Sequence, residues 1–386
     1  MSTGPLAGIR VVELGMWIAA PAAGAILADW GAEVIKVEPP NGDPFRHIMA
    51  SQGYAAEIPN APFTLDNRGK HSVALDLADD DARTALLRLV GTADVFPTNL
   101  RHDALRRIGV APDQLLDAHP HLVYALITGY GSTGPDKDRP GYDAGAFGAR
   151  AGVVHQMRIG DAPPVPLPLG FGDHVVAMSL AGGVAAALLE RTRTGRGQLV
   201  QTSLLRNGVY ALGWDVGTQL MLGKVPRAHD RTTTPTPMFN CYQAGDGTWF
   251  WLLGVEADRH FPTTVRAVHR ADLLTDERFA TARARRTNRA ELIALLDAAF
   301  ATRPFSHWAE RFDAEDVWWA QVQSPAELVE DPQANADGAF IAVGESVVRT
   351  VNSPIDFSNH VRDHLDPPPF IDASASVLLG EPVRDH

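Results

Sequence analysis

One carboxylate in this chain stands where its surroundings favour chemistry. Asp173 lies in the segment GFGDHVVAMSL, after Gly170 and Gly172 and before a long run of small apolar residues. Glycines carry no Cβ, so a large substrate could approach both the carboxylate and nearby N–H groups able to stabilise an oxyanion. Gly-Asp before an apolar helix is also typical of a helix N-cap. The residues alone leave both interpretations open.

A second carboxylate ends a loop that is rich in turn residues. The segment GYGSTGPDKDRPGYD closes with Tyr142 and Asp143. Loops of this length at strand ends are often functional, because a rigid scaffold can hold reactive groups on them. Asp143 is therefore a candidate supporting residue, although Asp also commonly hydrogen-bonds its own turn.

The elements that must position these carboxylates alternate along the first third of the chain. Between residues 9 and 128, short apolar runs alternate with helical patterns; the runs are IRVVEL, EVIKVE, SVALDL, DVF and LVYALIT. Such alternation predicts an α/β fold with a parallel sheet, which binds ligands at the carboxyl ends of its strands. The first turn, ELGMWIAAPAAG, lacks the GxGxxG pattern, so the dinucleotide fingerprint is absent.

The length of the chain predicts more than one domain, because single cores usually stop growing near ~250–300 residues and this chain has 386. We expect a large domain over residues 1–222 and a polar, Pro-rich linker over 223–236. A Gly-Asp-Gly turn between two alternating runs predicts a hairpin inside a smaller α+β domain over 237–322. Residues 323–386 are expected to return to the large domain.

Composition narrows the class of partner. The net charge of −12 and the lack of a dense Lys/Arg run argue against nucleic acid. The N-terminal residues show no secretory pattern, and no long uncharged apolar stretch predicts a membrane span. A single cysteine, Cys241, excludes an internal disulfide and a cysteine-rich metal site. We therefore expect a cytoplasmic protein.

The order of the segments resembles family III CoA-transferases, the CaiB/BaiF group, which also includes α-methylacyl-CoA racemases. The resemblance runs over nearly the whole chain; its segments are PLAGIRVVELG, ADWGAEVIKVEPPNGDPFR, NRGKHSVALDL, ADVFPTNLR, LVYALITGYGSTGP, GYDAGAFGARAG, GFGDHVVAMSLAGGVAAAL and RTGRGQ. It implies a Rossmann-like large domain, a smaller middle domain and an interlocked homodimer.

The resemblance implies a covalent role for Asp173, preceded by Gly172 as in the family's Gly-Asp pair. A carboxylate with a pKa of ~3.9 is ionised at neutral pH, so it needs no general base to attack a thioester. The implied reaction passes through a mixed anhydride and an aspartyl-CoA thioester to a carboxylic acid acceptor. Coenzyme A enters as the acyl-CoA substrate, and no metal or permanently bound cofactor is expected. Asp143 matches an acid that helps to organise the family's site.

Other family positions imply a CoA site at the strand ends. The matching residues are Leu75, Asn99, Leu100, Arg101, Ala104 and Arg107. The arginines would supply local positive charge for CoA phosphates, although a solvated helix face is the alternative interpretation. Two basic family positions are Pro39 and Ala78 here, so Arg46 or Arg68 is expected to replace their contacts.

Fewer positions of the sequence indicate which substrate the protein binds. Ile18 stands where formyl-CoA transferases have glutamine, which argues against formyl-CoA and oxalate, and Trp17 could line an apolar acyl pocket. Racemases carry histidine where this chain has Tyr142, and a phenol with a pKa of ~10 is a poor base, so transfer is preferred to racemisation. His155 or His174 could substitute for that histidine, and Glu256 falls where racemases carry a further acid.

The third hypothesis is non-catalytic binding of acyl-CoA. Family members often end in a Gly-Glu-His-Thr pattern, whereas this chain has Pro382 and Val383 in place of the polar pair. The acceptor acid and the donor acyl group are left open by the sequence.

Overall fold

The computed structural model describes residues 4–55, 58–225, 230–344 and 348–371. Within these ranges the chain forms two compact units. One is drawn from Met1–Met157, Pro164–Val225 and Gln333–His386, and the other from Arg158–Pro163 and Pro226–Pro332. The first unit holds every candidate residue except Glu256. Pro382 and Val383 lie outside the described residues.

The first unit is built on a six-stranded parallel sheet. Its strand order is β3-β2-β1-β4-β5-β6, the order of doubly wound nucleotide-binding folds, and it confirms the predicted α/β class. The order reverses between β1 and β4. The strands are β1 (Arg10–Glu13), β2 (Glu33–Glu38), β3 (Lys70–Ala74), β4 (Val95–Thr98), β5 (Val123–Thr128) and β6 (Leu199–Ser203).

Helices cover both faces of this sheet. The described helices of the first unit are α1 (Ala19–Asp29), α2 (Ile48–Ser51), α3 (Ala61–Asn67), α4 (Asp80–Val90), α5 (His102–Ile108), α6 (Pro112–Ala118), α7 (Val153–Gln156), α8 (Phe171–Thr194), α9 (Leu204–Ala211) and α10 (Gly213–Leu222). A 3₁₀ turn covers Pro44–His47, and a π-helical segment covers Ala144–Arg150. The two core layers follow the alternation of the strands, since Val11 packs with α1 and α8 while Val12 packs on the opposite face with α4, α5 and α6.

Small residues let α8 lie close to the sheet. A Cβ on Gly183 would lie 2.8 Å from Cγ1 of Val200 in β6, so a larger residue there would push the helix away. By length and composition α8 could cross a membrane, and it is the one described helix that meets this test. Its buried residues, among them Val176, Leu180 and Val184, pack in the core of the first unit.

The second unit has its own core and its own antiparallel sheet, in the order β7-β8-β9. As predicted from the two alternating runs, β7 and β8 form a hairpin, with Phe239 opposite Leu253. The aromatic core centres on Phe250, whose ring lies 5.0 Å from that of Phe300. The elements are β7 (Phe239–Gln243), β8 (Trp249–Leu253), α11 (Ala257–Ala267), α12 (Ala282–Thr287), α13 (Arg289–Phe300), α14 (Phe305–Ala314), β9 (Trp319–Gln321) and α15 (Pro325–Leu328).

The last described segment adds a small third sheet. After α16 (Pro332–Ala336), strands β10 (Phe340–Val343), β11 (Arg349–Val351) and β12 (His364–Leu365) pair in the order β11-β10-β12. Two side chains of this segment bind Asp29 at the end of α1: Nη1 of Arg362 lies 2.8 Å from its carboxylate, and Nε2 of His360 lies 3.0 Å from its carbonyl oxygen. The segment is thereby attached to the first unit.

Candidate active site

Asp173 lies in the first turn of α8, and it is not the helix cap. The N-cap is Gly170, whose φ of +76° lies in the left-handed region that glycine adopts without strain. Asp173 is the third residue of the helix, so the N-cap interpretation of the sequence is wrong. A carboxylate in this turn lies at the positive end of the helix dipole, which favours its anionic form.

Asp143 holds this turn from the neighbouring segment. It is 8% exposed and precedes the π-helical segment, where its Oδ1 accepts from the N–H of Ala144 at 2.7 Å. Its Oδ2 accepts from the N–H of Gly172 at 3.3 Å. The carboxylate therefore orders its own loop and also fixes the start of α8 beside Asp173.

Gly172 is required by packing rather than by access to the backbone. A Cβ on Gly172 would lie 2.6 Å from Cγ of Phe147 and 3.0 Å from Cβ of Asp143. The residue is buried, and its N–H is already bound by Asp143. The expectation that Gly172 leaves bare backbone for the substrate is wrong, because the space beside it is filled by the protein. Gly170 instead faces Ile18, whose Cδ1 would lie 3.2 Å from an added Cβ.

The electrostatics of the site oppose ionisation of Asp173. Burial, followed by the neighbouring charge of Asp143, raises the pKa of Asp173 to about 7, while the charge of His174 acts in the opposite direction. The carboxylate is therefore about half protonated near neutrality, which corrects the expectation that it ionises without assistance. A carboxylate of higher pKa is also the stronger nucleophile once ionised.

A histidine bonded to a buried carboxylate stands next to Asp173. Nε2 of His174 lies 3.0 Å from Oδ1 of Asp66, which is the last but one residue of α3. The side chain of His174 is 43% exposed, whereas that of Asp66 is 3% exposed. Burial disfavours the imidazolium, but the hydrogen bond to Asp66 and its charge outweigh burial and raise the pKa of His174.

Aromatic side chains form a wall beside this turn. Trp17 follows β1 with φ at 65°, a region that costs a non-glycine residue energy. The backbone N–H of Trp17 donates to Oδ1 of the buried Asp43 at 3.2 Å. Its ring lies 6.2 Å from that of Tyr142, edge to face, and 6.3 Å from that of Phe45. The structure thus brings together Trp17, Tyr142 and, through Gly170, Ile18.

A network of buried charges supports this wall from below. Nζ of Lys36 lies 3.1 Å from Glu13 and 2.9 Å from Asp43, and Nζ of Lys70 lies 2.8 Å from Glu13. Burial lowers the pKa of Lys70 to about 8, although Glu13 acts to raise it. For Lys36, burial acts in the same direction but the charges of Glu13 and Asp43 prevail and raise its pKa. The ion pairs fix Asp43, and hence the turn of Trp17.

The predicted CoA residues lie at the carboxyl ends of the strands. Leu75 follows β3, and Asn99 and Leu100 follow β4. Leu75 and Leu100 pack against the core. The amide of Asn99 is occupied, because its Oδ1 accepts from the N–H of Met16 at 3.0 Å and its Nδ2 donates to the carbonyl of Met16 at 2.7 Å.

The arginines of this region divide into two groups. Arg101, the N-cap of α5, and Arg107 on α5 are exposed, and Ala104 lies half-buried between them. The guanidinium of Arg46 lies 2.6 Å from the carboxylate of Glu38 and stacks on the ring of Phe63. Arg68 is buried, and its guanidinium lies 2.6 Å from the carboxylate of Asp29. The structure gives Arg46 and Arg68 intramolecular partners, so the expectation that they replace the missing phosphate contacts is not supported.

Glu256 belongs to the second unit. It is exposed, precedes α11 and lies 3.3 Å from Nη1 of Arg259. Its part in a substrate pocket stays a prediction.

Sequence reasoning missed Asp66 and the buried lysines. Asp66 stands among polar residues in TLDNRGK, and nothing in that pattern indicates that it is buried beside α8. Lys36 did carry a signal, because a lysine in the middle of the apolar strand EVIKVE must have buried partners.

The strand order and the polar and aromatic residues near the strand ends place the protein in the doubly wound α/β class, whose members bind ligands at this edge. The model of CoA-transferase family III matches residues 6–374, and the chain belongs to this family. Its relatives support the same activity, so this protein is a family III CoA-transferase.

The chain is similar to several named proteins. It is 31% identical to the (R)-2-hydroxy-4-methylpentanoate CoA-transferase of Clostridioides difficile, over 95% of this chain and 92% of the relative. It is 36% identical to the cinnamoyl-CoA:phenyllactate CoA-transferase of Clostridium sporogenes, over 87% of this chain and 82% of the relative. A CaiB/BaiF family protein from Brucella suis, solved as a crystal structure, matches with a TM-score of 0.85, at 28% identity over 98% of this chain and 99% of the other.

Proposed function

We propose that the enzyme moves CoA from an acyl-CoA donor to a carboxylic acid through a covalent intermediate on Asp173. The observation that carries this proposal is the half-buried Asp173 on the first turn of α8, with a pKa raised to about 7. A carboxylate with this pKa keeps much of its nucleophilicity. The segments that lead to Trp17 and to Asp143 follow β1 and β5, and both leave the sheet at the carboxyl ends of its strands.

The exchange balances without any net transfer of protons. The ionised Asp173 attacks the thioester carbonyl, a C–O bond forms, the C–S bond breaks, and CoA leaves as the thiolate. The thiolate then attacks the Asp173 carbonyl of the mixed anhydride and displaces the donor as its carboxylate. The acceptor carboxylate attacks the resulting aspartyl-CoA thioester, breaks its C–S bond and gives a second mixed anhydride and free thiolate. Attack of the thiolate on the acceptor's acyl carbon forms the new thioester and releases Asp173 as its carboxylate.

Each tetrahedral intermediate requires a hydrogen-bond donor for its oxyanion. The described hydrogen bonds of the first turn use the N–H groups of Phe171, Gly172 and His174. The N–H of Asp173 itself is therefore the donor that we assign to the oxyanion. It lies at the positive end of α8, where the helix dipole also favours negative charge.

The CoA portion would lie along the ends of β3 and β4. Leu75 and Leu100 offer apolar contacts there, Asn99 fixes the turn, and Ala104 on α5 lets the ligand lie close to that helix. The exposed Arg101 and Arg107 can meet phosphates without breaking an ion pair that the structure describes. Arg107→Ala should raise the KM for acyl-CoA and leave kcat nearly unchanged, whereas the exposed Arg193→Ala should change neither.

The acyl group would lie against Trp17, Ile18 and Tyr142. These side chains give an apolar, partly aromatic surface beside Asp173, which suits a branched or aromatic acid better than a small charged one. The relatives named for 4-methylpentanoate and phenyllactate derivatives point the same way. We infer that 2-hydroxy acids with such side chains are the acceptors. A panel of CoA thioesters crossed with carboxylic acids, separated by chromatography, tests this choice; faster transfer to oxalate or formate would contradict it.

The covalent step is tested by trapping. Wild-type enzyme mixed with acyl-CoA and hydroxylamine should lose activity as Asp173 becomes a hydroxamate, detected by intact mass and by peptide mapping. Asp173→Asn should abolish exchange but retain CoA binding. Asp117→Asn is the matched control, because Asp117 is exposed on α6, away from the site, and it should behave as wild type. An unmodified Asp173 after inactivation, or retained exchange in Asp173→Asn, would refute the proposal.

We also propose a homodimer. Helix α10 has no buried residues in the single chain, and Trp214, Leu220 and Met221 are 82–88% exposed. An apolar face of this kind is rare on a monomer and suits contact with a second copy. Light scattering on the purified protein tests this: a monomer at micromolar concentration would contradict it. A cytoplasmic location stays a prediction from the sequence.

A further inference from the structure

The bond between Asp66 and His174 joins two distant parts of the chain. Asp66 is 2% exposed, and Nε2 of His174 lies 3.0 Å from its Oδ1 across 108 positions of sequence. A buried carboxylate costs free energy unless it is hydrogen-bonded or paired. Nε2 of His174 meets that requirement, so the orientation of the imidazole ring is fixed by α3.

The other edge of the same ring faces the nucleophile's turn. A Cβ placed on Gly170 would lie 3.4 Å from Cε1 and 3.6 Å from Nδ1 of His174. His174 follows Asp173 directly in the first turn of α8. The imidazole therefore lies between a buried carboxylate on one side and the turn that carries Asp173 on the other.

The charges around the ring make it the positive group of this site. Asp66 and Arg68 act on His174 from the segment of α3, Asp173 acts from its own helix, and Lys70 acts on Asp66 from β3. Arg68 is held by Asp29. Asp173 faces two carboxylates, Asp143 and Asp66, and among its described neighbours His174 alone favours its anion.

We propose that Asp66 and His174 form a dyad that keeps a proton on the imidazole and thereby favours the ionised form of Asp173. The inference rests on the proposed covalent role of Asp173 and adds the group that prepares it. His174 acts through Asp173, so it is a positioning residue. Burial raises the pKa of Asp66 as well, which fits a pair that retains one proton between its two members.

Three variants test the dyad through the pH dependence of kcat/KM. The acidic limb of that profile is the pH range in which kcat/KM rises as Asp173 loses its proton. His174→Gln keeps a hydrogen bond to Asp66 but loses the positive charge, and Asp66→Asn keeps the bond but no longer supports that charge. Asp66→Asn should move the acidic limb less than His174→Gln does, because it also removes a carboxylate that raises the pKa of Asp173. His174→Gln should move the limb upward by about one pH unit, because an adjacent opposite charge is lost. At pH 7 that shift lowers the ionised fraction from about one half to about one tenth, a loss of about fivefold. His174→Lys should restore the limb.

The controls separate this role from a structural one. His121→Gln, at an exposed position away from the site, and Asp117→Asn should both keep the wild-type limb. A merely structural pair would lower the melting temperature and the overall rate but leave the limb in place, and that result would overturn the proposal. If hydroxylamine traps Asp173 in the wild-type enzyme while the limb is unmoved in His174→Gln, only the dyad fails.

The coupling can also be measured in the reverse direction, which keeps the test open if His174→Gln or Asp66→Asn fails to fold. By linkage, Asp173→Asn must lower the pKa of His174, followed by NMR of the imidazole Cε1–H, by as much as the imidazolium lowers that of Asp173. We expect a downward shift of about one unit. An unchanged titration of His174 in Asp173→Asn would overturn the proposal.

Discussion

Replacement of Asp143 by asparagine separates the two effects that this residue has on Asp173. Asp143→Asn removes the neighbouring negative charge and keeps the size of the side chain. The loss of a nearby charge should lower the pKa of Asp173 by about one unit from its value of about 7. The asparagine has one oxygen for the two N–H groups of Ala144 and Gly172, so one buried donor loses its partner at a cost of about 1–3 kcal/mol in unfolding free energy.

The magnitude follows from the ionised fraction. With an acidic limb at pH 7, kcat/KM at pH 6 is about one tenth of its value at pH 9; with the limb at pH 6 it is about one half. The ratio of kcat/KM at pH 6 to that at pH 9 should therefore rise about fivefold in Asp143→Asn. This ratio cancels any uniform loss of rate that results from a less ordered turn.

The assay is initial-rate exchange between an acyl-CoA and an acceptor acid, followed by chromatography from pH 5.5 to 9.5, beside urea unfolding at each pH. Asp117→Asn serves as the exposed control and should keep the wild-type ratio. An unchanged ratio in a folded Asp143→Asn enzyme would show that Asp143 does not act on the charge of Asp173, and that burial and Asp66 account for the raised pKa.

Asp173→Asn should stabilise the enzyme more at pH 8 than at pH 4. The pKa of Asp173 is about 7 in the folded enzyme against the usual 3.8, so its contribution to the free energy of unfolding is fully present below pH 3.8 and is lost as the pH rises through 7, by up to about 4 kcal/mol. Equal gains at both pH values in urea unfolding would contradict this. Gly172→Ala should cost about 1–3 kcal/mol and reduce kcat, because its Cβ would overlap the ring of Phe147; an unchanged melting temperature would refute the packing argument. Lys36→Met should cost about 3–5 kcal/mol because it leaves Glu13 and Asp43 undercompensated, and a stabilised variant in urea titration would show that the buried network is dispensable.

The sheet was predictable because its strands are apolar runs of the right length separated by helical patterns. Asp173 and Asp143 were also visible in the sequence, since glycines and turn residues surround them. The reason for Gly172 was not visible, because the side chain that fills the space beside it, Phe147, lies 25 positions earlier and approaches only after folding. The periodicity of a segment predicts the type of its secondary structure but not the residues that pack against it.

The charged residues of the site were even harder to predict from the sequence. The pKa of Asp173 depends on burial and on two carboxylates, Asp143 and Asp66, that come from other segments. Likewise, Arg46 and Arg68 looked available for phosphate in the sequence, but Glu38 and Asp29 bind them in the fold. Electrostatic roles depend on distances across the chain, which spacing along one element does not give.

The two hydrogen bonds between Asn99 and the backbone of Met16 have a consequence for the kind of ligand this fold can accept. They cross the gap between the ends of β1 and β4, the cleft in which proteins of this strand order hold a dinucleotide. The side-chain amide of Asn99 thus joins the two strand ends across this cleft. Glycines introduced into the first turn would leave both bonds in place, so they would not by themselves convert the cleft into a dinucleotide site.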